Sequence, residues 1–169
     1  MPVTQAAPTD SNRFSCLTPA SLSNPEKSAV VSLALAVLKQ RWRPGRSYRT
    51  PADIEGLLRL KLAGRRNEVF GVLYLDSRNR LIEMVELFQG TIDAATVYPR
   101  IVAQRALENN AAAVVLFHNH PSGVAEPSES DRLITTKLSQ ALALIDVRIV
   151  DHLVVTDGEA ASMARRGWI

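Results

Sequence analysis

Cysteine is almost missing from this chain, with Cys16 alone among 169 residues. No disulfide can form within it, so stability has to come from a packed core, and a reducing, cytoplasmic setting is expected. Long apolar runs are missing as well. Nothing approaches the roughly 20 residues that cross a bilayer, so no membrane association is expected. Residues 1–10 lack the basic and apolar regions of a signal peptide. There is no large excess of either charge: the net charge of +3 permits an acidic partner without requiring one. The H-E-x-x-H pair of zincin-type metalloproteases is absent, and no G-x-S-x-G turn surrounds Ser122, which argues against a serine nucleophile there. What remains is the composition of a globular protein, 46% hydrophobic and 22% charged, long enough for one domain and a tail.

Residues 1–23 are rich in Pro, Thr, Ser, Ala and Asn without apolar periodicity, and are expected to form a disordered or loosely attached tail. Asn24 as N-cap with Pro25 at the first helical position opens a helix, predicted within 24–46. Its Val30, Leu33, Ala34, Val37 and Leu38 fall on one stripe to be buried, and Pro44-Gly45 stops it. Thr50-Pro51-Ala52-Asp53 starts a second helix, with Ile54, Leu57, Leu58 and Leu62 inward and Gly64 at its end. Residues 68–75 are the strongest strand. A turn at Asp76-Ser77-Arg78-Asn79 and a return strand near 81–87 make an antiparallel hairpin. Asp93 is then the expected cap of a helix carrying Ala95, Tyr98, Val102 and Ala106. A buried strand follows at 112–117, and a helix at 128–144 with Ile134, Leu138, Ala141 and Ile145 inward. Strands are predicted at 147–155 and, less regularly, 162–169. The pattern is α+β, a mixed α/β sandwich of sheet and covering helices.

The chemistry concentrates where the buried strand ends, at Phe117-His118-Asn119-His120-Pro121-Ser122-Gly123. In an extended backbone, residues two apart point the same way, so His118 and His120 can aim at one point before Pro121 and Gly123 turn the chain. Ser128 to Asp131 falls at the start of the next helix, where Asp131 brings a carboxylate from a second rigid element. Two imidazoles and one carboxylate leave a fourth tetrahedral position open, as in a catalytic zinc site. Each half also has a plainer reading. A histidine pair at a strand end can simply be hydrogen-bonded, and Ser128-x-x-Asp131 is a sound helix cap. Their occurrence together, using two of only three histidines, favours the metal. The third histidine, His152, stands beside Asp151 in a strand and reads as a structural, hydrogen-bonded histidine rather than a group behind a ligand. Asn119 points away from its neighbours and receives no catalytic role.

His118-x-His120, seven residues and Ser128-x-x-Asp131 resemble the H-x-H-x(7)-S-x-x-D signature of JAMM (MPN+) metallopeptidases. The text from Glu68-Val69-Phe70-Gly71-Val72-Leu73-Tyr74-Leu75-Asp76 through Leu87-Phe88-Gln89-Gly90-Thr91-Ile92-Asp93 to Asp151-His152-Leu153-Val154-Val155 is similar to the RadC branch, over residues 47–169. The helix-hairpin-helix region of longer RadC proteins is not recognisable here. The resemblance implies the cytidine deaminase-like, three-layer JAMM fold over 47–169, one zinc ion on His118, His120 and Asp131, and hydrolysis of a peptide or isopeptide amide. Metal-assisted hydrolysis also needs a proton carrier close to the metal. Glu68, Glu83, Glu86 and Glu126 are available. Glu68 fits the mouth of its apolar strand poorly as a structural residue, although an exposed strand end explains it equally well. The resemblance selects Glu68, and it assigns Ser128 to hydrogen-bond the developing oxyanion.

A different class of function stays open. Lys39, Arg41, Arg43, Arg46 and Arg49 crowd one segment with Trp42 and Tyr48. A nucleic-acid surface would set such cations on phosphates and such aromatics on bases, with Arg41, Arg43 and Arg46 as contacts. A solvated helix end with cations near the C-terminal dipole is the simpler account. The resemblance implies the alternative to the hydrolase, a non-catalytic MPN-fold binding module associated with DNA repair or mobile-element maintenance.

Overall fold

The apolar run after Glu68 becomes the middle of a sheet in the computed structural model, which describes residues 17–41, 43–45, 47–48, 50–90 and 96–169. Two units are distinguished, one ending at Ala34 and one spanning Leu35–Ile169. The second contains the sheet: β1 (Val69–Leu75), β2 (Leu81–Gln89), β3 (Ala113–Asn119), β4 (Arg148–Val155) and β5 (Ala160–Ser162), in the order β2-β1-β3-β4-β5. β1 pairs antiparallel with both β2 and β3, as the predicted hairpin requires for the first pair. Asp76 Oδ1 closes that hairpin by accepting from the backbone N–H groups of Arg78 and Arg80, each at 2.9 Å, and Asn79 takes the left-handed conformation with φ 55°. β3 and β4 run parallel, which requires a crossover between them; α4 (Glu129–Ala143) provides it.

Alternation along the strands makes two apolar faces. Val69, Leu73, Leu75, Val115 and Phe117 pack against Ile54, Leu57, Leu58 and Leu62 of α2 (Ala52–Leu62), so all four residues predicted to face inward do so. On the other face, Phe70, Val72, Tyr74, Val114 and Leu116 meet Val102 and Ala106 of α3 (Pro99–Glu108) and Leu138 and Leu142 of α4. The result is helix, mixed sheet and helices in three layers, an α+β arrangement consistent with a JAB/MPN-type fold.

Several local expectations are corrected. α1 (Asn24–Arg41) begins at Asn24 itself. The residue before it, Ser23, does the capping: its carbonyl accepts from Lys27 N–H at 2.9 Å, and its N–H and hydroxyl donate to Glu26 at 2.8 and 2.6 Å. The predicted stripe on α1 holds at Leu38 and fails at Val30, Leu33 and Val37. These three are exposed, whereas Leu35 and Leu38 touch the α2-side core. α3 starts at Pro99, whose fixed φ suits a first helical position. Tyr98 is its exposed N-cap residue, and Asp93 and Ala95 lie outside the described residues. The strand predicted at 162–169 is not formed beyond Ser162, where β5 (Ala160–Ser162) ends; a 3-10 turn over Ala164–Arg166 takes its place, ended by Gly167 at φ 71°. Of the predicted tail, residues 1–16 lie outside the described residues, and Pro19–Ser21 forms an exposed 3-10 turn capped by Thr18.

Candidate metal centre

Parallel pairing of β3 and β4 leaves the carboxyl end of β3 open to solvent and to the start of α4, the usual position for a ligand site in such units. β3 carries His118 out of the α3/α4-side core, and His120 follows it on the same side. The Ser128 cap brings Asp131 to them. Ser128 N–H and hydroxyl donate to Asp131 Oδ2 at 2.7 and 2.6 Å, and Asp131 N–H donates to Ser128 Oγ at 3.1 Å, a complete capping box. His118 Nε2 then lies 3.1 Å from Asp131 Oδ1, and His120 Nε2 lies 3.4 Å from Oδ2. The two Nε2 atoms are only 2.9 Å apart. Asp131 and His118 are buried; His120 is partly exposed, so the site opens on that side.

The hydrogen bonds behind the imidazoles determine what they present. His120 Nδ1 is 2.8 Å from the Val124 carbonyl, which can only accept, so Nδ1 carries the proton and a neutral His120 has its lone pair on Nε2. His118 Nδ1 is held at 2.8 Å by His152 Nε2. Two ring nitrogens facing each other at 2.9 Å beside a carboxylate need a proton or a metal ion between them. The hydrogen bond to Asp131 accordingly raises the pKa of His120, against the opposing effect of burial. Burial pushes Asp131 upward, but hydrogen bonds from His118, His120 and Ser128 bring it far below the usual carboxylate range. The donor set thus fits a divalent cation: two imidazole nitrogens and an ionised carboxylate oxygen, all within 4.8 Å of one another.

Residues 48–168 match the profile of the RadC-like JAB domain. The chain belongs to that family. Relatives include UPF0758 proteins of Ectopseudomonas mendocina, 49% identical over 83% of this chain, and Cellvibrio japonicus, 51% identical over the same share; in both the match covers 63% of the relative. A UPF0758 protein of an Acidovorax species is 49% identical over 97% of this chain and 68% of its own length. The chain therefore spans about 63% of the length of the first two relatives.

Within this family fold, Glu68 lies at the same end of the sheet as the histidines. Phe70 pairs with His118, His120 immediately follows β3, and on the antiparallel neighbour Glu68 immediately precedes β1. Its charge contributes to the raised pKa of His120. Asn119, which received no role from the sequence, fixes that register: its Oδ1 accepts from Val69 N–H at 2.7 Å and its Nδ2 donates to the Asn67 carbonyl at 3.2 Å. The other carboxylates considered have cationic partners elsewhere: Glu83 with Arg105, Glu86 with Lys61 and Arg65, Glu126 with Arg166. The Ser128 hydroxyl donates to Asp131, so here it serves the cap and the carboxylate. Of the proposed nucleic-acid contacts, Arg41 ends α1, Arg43 is exposed and Arg46 lies outside the described residues.

The sequence missed two residues behind the site. His152 is completely buried, with Nε2 on His118 and Nδ1 2.6 Å from Thr135 Oγ1. Phe70 borders both rings, stacked on His118 with centroids 6.2 Å apart and edge-on to His152 at 5.6 Å. Strand phase counted from the start of β4 would not have found His152. A register irregularity in β4 puts Val150 and Asp151 both on the α2 side, which turns His152 toward Leu116 and α4.

Proposed function

We propose that the chain is a zinc-dependent hydrolase that cleaves a peptide or isopeptide amide bond. The observation that carries this reading is the pair of Nε2 atoms 2.9 Å apart against Asp131, with the charge of Glu68 acting on His120. His118, His120 and Asp131 would hold the ion, leaving a position for water as catalytic zinc sites do. When bound, such an ion supplies Lewis acidity, acidifying water and polarising a carbonyl.

The chain's own residues do the rest. Glu68 accepts a proton from the attacking water and returns it to the leaving amine, the task of a carboxylate near a metal but not bound to it. Asn119 holds the strand start that carries Glu68. Val124 fixes the orientation of His120 through its carbonyl. Ser128 keeps Asp131 aimed at the histidines, and if its hydroxyl rotates away from Oδ2 it donates to the oxyanion of the substrate. A cavity of about 90 Å³ beside His120, lined by Leu62, Arg65, Pro121 and Val155 among others, offers room for a substrate group next to the reacting bond.

Metal analysis of the purified protein beside His118→Ala tests the site. Stoichiometric zinc in the first and loss in the second are expected; equal metal in both removes the site. Against a panel of peptide and isopeptide substrates, Glu68→Gln is expected to retain zinc and lose hydrolysis by about 10²- to 10⁴-fold. A protein that binds zinc but hydrolyses none of them would leave the metal-bearing binding module as the reading.

A further inference from the structure

We propose that Thr135 and His152 are positioning residues that set the tautomer of His118, so that its Nε2 lone pair faces the cation site. This rests on the metal reading above. The argument starts at the far end of a hydrogen-bonded row. Thr135 Oγ1 lies 2.5 Å from the backbone carbonyl of Asp131 and 2.6 Å from His152 Nδ1. A hydroxyl has one proton and a carbonyl can only accept, so that proton goes to Asp131 O. Thr135 must then accept from His152, which places a hydrogen on His152 Nδ1. A neutral imidazole with its hydrogen on Nδ1 has its lone pair on Nε2. His152 Nε2 therefore accepts, and His118 Nδ1, 2.8 Å away, donates to it. That leaves the His118 lone pair on Nε2, facing His120 Nε2 and Asp131. With His152 neutral, one direction of donation satisfies every group in the row; reversing the His118–His152 bond would take the hydrogen from His152 Nδ1 and leave Thr135 with a second proton to supply.

A threonine bonding to the carbonyl four residues back is common in helices and means little alone. Here the same oxygen also ends a row from a candidate ligand, and His152 is fully buried, where an imidazolium would have to give up its water. The row starts on the side chain of His118 and closes on the backbone of Asp131. It thereby ties the end of β3 to the first turn of α4, the two elements that have to converge on the ion. Outer partners of metal-bound histidines that fix tautomer and ring orientation are typically worth 10- to 100-fold in metal affinity.

Nitrogen-detected NMR of the imidazoles in the wild-type protein tests the hydrogen placement without any variant or activity. His152 is expected as the Nδ1–H tautomer; the Nε2–H tautomer overturns the proposal. Zinc affinity by chelator competition, with the cobalt absorption spectrum as a second readout, then compares wild type, Thr135→Val and Thr135→Ser. Valine keeps the shape and lacks the hydroxyl, so about 10- to 100-fold weaker binding and an altered cobalt spectrum are expected, with near-normal binding for serine. Valine binding zinc as tightly as wild type sinks the relay while leaving the metal site standing. A wild-type protein that binds no divalent cation sinks the metal reading itself, whatever the tautomer.

Discussion

Gly71 shows how little tolerance surrounds the strand that carries Glu68. A Cβ there would sit 2.2 Å from Phe117 Cζ and 2.7 Å from the Val85 carbonyl oxygen. The first contact is with a fully buried ring in the α2-side core, and the second is with backbone in the paired strand β2. Gly71→Ala is therefore expected to destabilise the protein by about 1–3 kcal/mol, the usual cost of overpacking, or more. Equilibrium denaturation in urea measures it. Adding Phe117→Leu should recover part of the loss in the double variant, because the ring is only one of the two obstacles; an unchanged midpoint for Gly71→Ala alone would show that the strands give way freely. At this scale the sequence was informative about residue type and poor about neighbours. A glycine inside an apolar strand signals close approach, and two histidines two apart signal convergence. Which ring approaches Gly71, and which group stands behind His118, depend on strands distant in sequence. His152 is the clearest instance. The irregularity near Ile149–Asp151 decides which side of the sheet it faces, and nothing in the local residues marks that irregularity.

The first turn of α4 carries two duties at once. Ser128 caps the helix, and the same hydrogen bonds hold the Asp131 carboxylate in front of the imidazoles. The plainer reading and the metal reading of Ser128-x-x-Asp131 are thus both present in one arrangement. Removal of an N-cap side chain typically costs about 0.5–2 kcal/mol, so Ser128→Ala is expected to lower stability by that amount and to weaken metal binding in the same protein. Ser128→Gly separates the two effects, because glycine is nearly as good a cap residue while lacking the hydroxyl. It should restore most of the stability and little of the metal affinity, as read by thermal denaturation and chelator competition. If stability and affinity recover together, the cap alone positions Asp131. This element was legible in advance because its signals are local: a serine, an acid three residues on and an apolar period behind them. α1 was legible as a helix but not in its facing. Its apolar residues, Val30, Val31, Leu33, Leu35, Val37 and Leu38, surround much of the cylinder, so the stripe read from the sequence was one of several the helix offers, and Leu35 and Leu38 are the ones that reach the core.

At the level of the fold, a mixed sheet covered by helices followed from the residue pattern and the three-layer order from the family resemblance, but the strand order followed from neither the periodicity nor the turns, since β1 could have had other neighbours on the same pattern. Two tyrosines bind the layers and give stability a pH dependence of known sign. Tyr48 lies in the α2-side core and donates to Asp151 Oδ2 at 3.3 Å; Tyr74 lies in the opposite core and donates to the Val102 carbonyl at 3.3 Å. Burial holds both phenols well above their ordinary pKa of 10.0, assisted at Tyr48 by the Asp151 carboxylate and at Tyr74 by Glu83. The folded chain therefore keeps these protons at a pH where the unfolded chain releases them. Above pH 10 the folded state binds more protons than the unfolded state, so stability falls as pH rises, and the full contribution is present below pH 10. The slope approaches about 1.4 kcal/mol per pH unit for each buried tyrosine. Urea denaturation across the alkaline range should show that decline, and Tyr74→Phe should remove close to half of the tyrosine-dependent slope while lowering stability at neutral pH through loss of its hydrogen bond. Phenolate absorbance from Tyr48 and Tyr74 should appear together with the loss of tertiary structure. Ionisation of both near pH 10 in a protein that stays folded would mean that water reaches the two cores and that the helices do not seal the sheet on either side.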